Sequence, residues 1–226
     1  MKIAIIGFGD SRSKAPVDDS SWVKYGLPWD ENYWLKIDVH FEMHSAPVLN
    51  IYSAQVMSEI WDGQKCTVVS HRPDKYGERL NYVCEHKTLY MHQAYIPHAK
   101  PYPFKKINKL IQADYYVSSV SYMLAMAIYE LCGEKKVDEK EIGLYGVDLA
   151  DDGEWEYQRA GNEYLIGIAR GMGIKVTIPK ESHLMQYTNR TTNFGGVTVT
   201  YGERYGILSS EPQEFFPWRK PNAKTC

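Results

Sequence analysis

Asp114-Tyr115-Tyr116-Val117-Ser118-Ser119, then an apolar run over 120–132, then Glu141-Ile142-Gly143-Leu144-Tyr145-Gly146-Val147-Asp148: these residues decide the fold. Two small hydroxyl residues precede good helix formers that are apolar on every side (Tyr122, Met123, Leu124, Ala125, Met126, Ala127, Ile128, Leu131), which predicts a capped helix buried among other elements. Gly133 stops it. The charged segment 134–140 turns the chain, and residues 142–147 have the length and composition of a buried strand that ends in an Asp. A helix followed by such a strand predicts an α/β fold with a mostly parallel sheet. Ligands of open parallel sheets sit beyond the carboxyl ends of the strands, where Asp148 falls, and anions favour helix N-termini, where Ser118 and Ser119 fall. One site can use both.

Upstream, Lys2-Ile3-Ala4-Ile5-Ile6 is a short apolar run ended by Gly7-Phe8-Gly9-Asp10-Ser11-Arg12-Ser13, which reads as a first strand and a loop of glycines and hydroxyls. Such loops bring backbone N–H groups close to phosphates because glycine lacks the Cβ that would hold a ligand away. The other reading is a tight turn after an edge strand. Gly7-x-Gly9 lacks the third glycine of a dinucleotide fingerprint and no Gly-Lys-Ser/Thr follows, which disfavours NAD and P-loop readings. A brief second strand is expected around Trp22 to Leu27. Val39, Phe41 and Met43 alternate with His40, Glu42 and His44, as in a strand with one polar face. A metal site at His40 and His44 lacks a third ligand at suitable spacing, whereas Glu42 or His44 facing a substrate needs none.

Further along, a helix is expected over 48–61, a strand over 66–70, a polar excursion over 71–87 and a strand over 89–95. A short basic helix follows the prolines at 97, 101 and 103, with Lys105, Lys106 and Lys109 on its exposed side. Past the central strand, Asp148-Leu149-Ala150-Asp151-Asp152-Gly153-Glu154-Trp155-Glu156-Tyr157-Gln158-Arg159 concentrates carboxylates, aromatics, an amide and a guanidinium in what reads as a loop. Acid and base work needs carboxylates in different environments, and Asp148 with Glu154 or Glu156 can supply them. No cofactor is called for; Asp151-Asp152 leaves a divalent metal open, while no calcium-loop pattern is present. An amphipathic helix over 162–172 and a strand over 175–179 come next. The domain division expected is 1–180 for the α/β domain and 181–226 for a β-hairpin and a tail rich in proline and aromatics.

The chain has 226 residues and a formal net charge of −2, enough for a sizeable core and no electrostatic case for broad nucleic-acid or membrane-surface binding. Cys66, Cys84, Cys132 and Cys226 form no Cys-x-x-Cys, so reduced thiols in a cytoplasmic protein are expected. No apolar run approaches a membrane span or a signal sequence. The aromatic content of 13% suits sugar or base stacking, a core or a homo-oligomer interface.

Three blocks, residues 2–11, the pair Ser118-Ser119 opening its apolar helix, and residues 140–148, together resemble the small bacterial sialyltransferases of lipooligosaccharide synthesis and the related MptE-like and motility-accessory glycosyltransferase domains. A general likeness extends to Rossmann-like tailed-phage proteins with Phe-Glu-Met-His and Tyr-Gln-Arg blocks, matched by Phe41-Glu42-Met43-His44 and Tyr157-Gln158-Arg159. The resemblance spans about residues 1 to 180. It implies a Rossmann-like fold, a nucleotide-sugar donor, donor contacts at Gly7, Gly9, Ser11, Ser118 and Ser119, and Asp148 near the sugar or ribose. Glu42, Tyr157, Gln158 and Arg159 join the substrate-binding candidates, with Arg159 or Tyr157 stabilising the leaving phosphate. Sialyltransferases use a His soon after the Gly-x-Asp block, whereas no His lies between Asp148 and Pro179 here. The base therefore stays open among Glu154, Glu156 and His44. The acceptor implied is a modified phage DNA base or a glycan. Two other functions remain open: a non-catalytic protein that sequesters a nucleotide or nucleotide sugar, and a pterin diphosphokinase-like phosphotransferase.

Overall fold

The structure is a computed structural model that describes residues 1–28, 33, 36–44, 86–91, 99–133, 139–149, 154–182, 184–185, 191–194 and 197–200. The expected elements over 48–61 and 66–70, the excursion over 71–85, Asp151-Asp152 and the tail beyond residue 200 lie outside the described residues.

The apolar run after Met1 becomes β1 (Lys2–Ile6), the middle of a parallel sheet rather than its edge. The other strands are β2 (Trp22–Gly26), β3 (Val39–Glu42), β4 (Thr88–Met91), β5 (Lys100–Pro101), β6 (Glu141–Tyr145) and β7 (Lys175–Thr177), in spatial order β5-β4-β3-β2-β1-β6-β7. All seven are parallel, and Ile3 sits between Val23 of β2 and Ile142 of β6. This is a Rossmann-like α/β fold, and its strand order reverses between β1 and β6, where such sheets open a crevice.

Side-chain alternation sends the two faces of the sheet into separate cores. Ile3, Ile5, Phe41, Ile142 and Leu144 face one core, while Ala4, Ile6, Trp22, Ile37 and Tyr145 face the other. Helix α1 (Phe104–Ile111) exposes Lys105, Lys106 and Lys109 and buries Ile107 and Ile111. Helix α2 (Ser119–Gly133) packs against β1, β3, α1 and a third helix, α3 (Glu154–Gly171), and so has apolar residues on every side. Met123 to Ile128 and Leu131 are all at most 1% exposed, and each large side chain among them contributes about 1.5–3 kcal/mol of burial.

Two expectations change. β3 is covered on both faces, so His40 and Glu42 are buried rather than presented on a polar face. Helix α3 begins at Glu154, eight residues before the apolar spacing suggested, so the acidic end of the presumed loop is helical. Acidic residues near a helix N-terminus are favoured there by the macrodipole. One compact α/β unit spans Met1–Leu184. Ser182 explains this: its hydroxyl donates to the Val147 carbonyl (3.0 Å) and accepts from the Leu184 N–H (3.1 Å), tying this segment to the end of β6. The second unit, Met185–Cys226, contains β8 (Thr191–Phe194) and β9 (Val197–Thr200), an antiparallel pair separated in sequence by Gly195-Gly196. Among the described residues no helix is long and apolar enough to cross a membrane.

Candidate functional site

The ends of β1 and β6 run against each other beyond the sheet. The Gly7 N–H donates to the Tyr145 carbonyl (2.8 Å) and the Gly9 N–H to the Gly146 carbonyl (2.9 Å). Gly146 has φ +67°, and a Cβ on Gly7 would collide with the Gly146 carbonyl. A Cβ on Gly9 would fall on the Asp148 carboxylate. Gly7 and Gly146 therefore serve backbone-to-backbone packing and Gly9 leaves room for the Asp148 carboxylate, while the Gly7 and Gly9 amides bond to the end of β6 and the residue after it.

Ser11 has a similar inward task. It is buried, its hydroxyl donates to Asp148 Oδ1 (2.6 Å) and accepts from the Gly146 N–H (2.8 Å), and it lies behind the carboxylate instead of lining the cavity. Asp148 is thereby held in one orientation.

The start of α2 is fixed from α3. Ser118 caps the helix, accepting from the Ser121 N–H at 3.3 Å. Fully buried Asn162 donates through Nδ2 to Ser118 Oγ (3.2 Å) and to the Gln158 carbonyl (2.9 Å), while its Oδ1 accepts from Ser121 Oγ (3.0 Å). The Ser121 oxygen in turn accepts from the Val117 N–H at 3.2 Å. Gly161 lets α3 come this close, since a Cβ there would stand 2.5 Å from Val117 Cγ2. The first amides of α2, at Ser119 and Val120, have no intrahelical acceptor, as in any helix, and both residues line the cavity.

Beyond the end of β3 the chain folds back on itself. Glu42, 1% exposed, accepts from the His44 N–H (3.2 Å) and from His44 Nδ1 (2.5 Å) through the same oxygen. Because the strand ends at Glu42, His44 is not bound to strand alternation, and its ring returns to the carboxylate. In a neutral ring whose Nδ1 donates to Glu42, the lone pair is on Nε2.

These parts enclose a cavity of about 520 Å³ lined by Gly7, Gly9, His44, Ser118, Ser119, Asp148 and Gln158, which the sequence placed far apart. Four candidates stand outside it. Ser11 and Glu42 support Asp148 and His44 from behind. Arg159 Nε donates to Glu163 on its own helix (2.8 Å), and Tyr157 is 81% exposed on α3. Neither lines this cavity. Glu154 and Glu156 lie in the first turn of α3, with side chains outside the described set. Among the described residues no cluster of three or more His, Cys, Asp or Glu could hold a metal ion.

Sequence reasoning missed Asn162, Gly161 and an aromatic wall. Tyr116 and Tyr122 line the cavity with rings stacked at 4.5 Å and 2°. Burial raises the Tyr116 phenol to about 12, despite an opposing hydrogen bond with Tyr102, and burial pushes Tyr102 well above the ordinary value. The available signal was Tyr122 standing four residues after Ser118 on the same helix face.

Comparison with family models, curated proteins and solved structures returned no match to this chain.

Proposed function

We propose that the protein is a glycosyltransferase that uses a nucleotide-sugar donor. The observation that carries this reading is the Glu42–His44 pair, whose imidazole lines the same cavity as Ser119 and Val120 in the first turn of α2. In this reaction His44 Nε2 takes the proton of an acceptor hydroxyl as the acceptor oxygen bonds to the anomeric carbon. The bond from that carbon to the donor's phosphate oxygen breaks, its electron pair leaves with the nucleotide, and the proton on His44 passes to solvent. Base catalysis of this kind contributes about 10²–10⁴-fold. The Ser119 and Val120 amides and the Ser118 hydroxyl stabilise the leaving phosphate, while Asp148 accepts from a sugar or ribose hydroxyl.

A second reading, binding without turnover, is favoured by one feature: among the described residues neither Lys nor Arg lines the cavity, so dipoles alone would meet the charge of a departing phosphate.

Incubation with a panel of nucleotide sugars and no acceptor separates the two. A transferase hydrolyses its donor slowly, and His44→Ala lowers that rate about 100-fold or more while nucleotide affinity persists. A sequestering protein gains thermal stability with the ligand and releases it unchanged. Donor hydrolysis at the wild-type rate in His44→Ala would contradict the assignment of the base.

A further inference from the structure

We infer that the stacked pair Tyr116–Tyr122 is the platform for the ligand's nucleobase, so that the donor lies with its flat ring against these tyrosines and its phosphate at the start of α2. This rests on the nucleotide reading above and adds the direction in which the ligand lies and the source of its affinity.

Three observations converge. First, both rings line the cavity, and they are parallel, whereas their contacts with Tyr102 and Phe104 are edge-on, with interplanar angles of 64–88° within that group of rings. A third flat ring extends a parallel stack more readily than it joins a set of edges. Second, the rings are packed in place before any ligand arrives: the Tyr116 hydroxyl donates to Asn108 Oδ1 (2.5 Å), and Tyr102 and Phe104 contact both rings edge-on. A platform already ordered loses little entropy on binding. Third, the ionisable groups among the described lining residues are Asp148, His44 and the two tyrosines, with no Lys or Arg, so charge pairing with a nucleotide is missing there and stacking has to carry much of the affinity.

The spacing agrees with a single ligand. Tyr122 lies about one helical turn, ~5.4 Å along the axis, beyond the cap at Ser118, on the same face of α2. That is the order of separation between the base and the 5′-phosphate of a nucleotide. Asp148 and His44, which line the cavity from beyond the ends of β6 and β3, are then left for the sugar and the acceptor.

The test is calorimetric titration of the full chain with the uridine, cytidine, adenosine and guanosine diphosphates and, as a base-free probe, ribose 5-phosphate. Tyr116→Leu and Tyr122→Leu are expected to weaken the tightest nucleotide about ten-fold or more and to leave ribose 5-phosphate within about two-fold, while Tyr122→Phe keeps both affinities. Where a leucine variant does not fold, the wild-type protein still decides: a stacked base loses intensity in its ultraviolet band on binding. Unchanged nucleotide affinity in folded leucine variants, a parallel loss of ribose 5-phosphate, or no loss of intensity in the base's band overturns the platform while leaving the nucleotide site standing. Wild-type protein that binds no nucleotide overturns the functional reading and the platform with it.

Discussion

Glu42 and Ser11 each hold a second residue that faces the cavity, and neither faces it directly. Replacing Glu42 by Gln keeps the shape but lets an amide NH₂ face His44 Nδ1, which favours the tautomer with its proton on Nε2. The expected result is a kcat that falls about 100-fold or more, with nucleotide affinity within about three-fold, because the base rather than the binding surface is disturbed. Turnover and calorimetry on the same preparation check it, and an unchanged kcat would remove His44 as the base. At this scale the sequence yielded residue types but not their order of contact. Asp148 was legible at the end of a strand, while Glu42 and His44 were legible as candidates on what read as the polar face of one. That Glu42 serves His44, and Ser11 serves Asp148, depends on chain reversals that no local pattern encodes.

Between elements, the junction of α2 and α3 decides how well the first turn of α2 is aimed. Gly161→Ala gains helix propensity of up to about 1 kcal/mol, yet it places a methyl 2.5 Å from Val117 Cγ2, and overpacking of this kind costs about 1–3 kcal/mol. The net expectation is a loss of stability, read as a lower urea midpoint, together with weaker nucleotide binding as residues 117–119 shift. A variant as stable as wild type with full nucleotide affinity would show that the junction does not aim the site. Helix α2 was legible because its apolar run needs burial on every side and its cap is a serine pair. The start of α3 was not, because Glu154, Trp155 and Glu156 carry loop-like polarity into a helix whose apolar spacing becomes regular only later. The polar face expected of β3 was misread for a related reason: a central parallel strand buries both faces, so period-two polarity there marks buried partners rather than solvent.

Across the whole molecule, the seven-stranded parallel sheet sets where everything else can stand, and its order reverses where β6, from late in the chain, pairs with β1 on the side away from β2. The aromatic core beside the cavity gives the fold a pH signature. Burial raises Tyr25 and Tyr102 well above the ordinary phenol value and Tyr116 to about 12. Phenols raised in the fold stabilise it fully below the unfolded value near 10, and this contribution is lost as pH rises toward and through about 12. Thermal melts at increasing pH should therefore hold level up to about pH 10 and fall steeply above it, with the absorbance of ionised tyrosine rising in step with unfolding. Early ionisation of all the tyrosines without loss of structure would contradict the packing of this core.

The most direct measurement is a crystal structure of the full chain grown with the nucleoside diphosphate that most raises its melting temperature. A phosphate within hydrogen-bond distance of the Ser119 and Val120 amides, with the rest of the ligand between Asp148 and the Tyr116–Tyr122 pair, is the predicted result. A nucleotide seated elsewhere on the molecule, with the space between Gly9 and Ser119 filled only by water, would contradict the account.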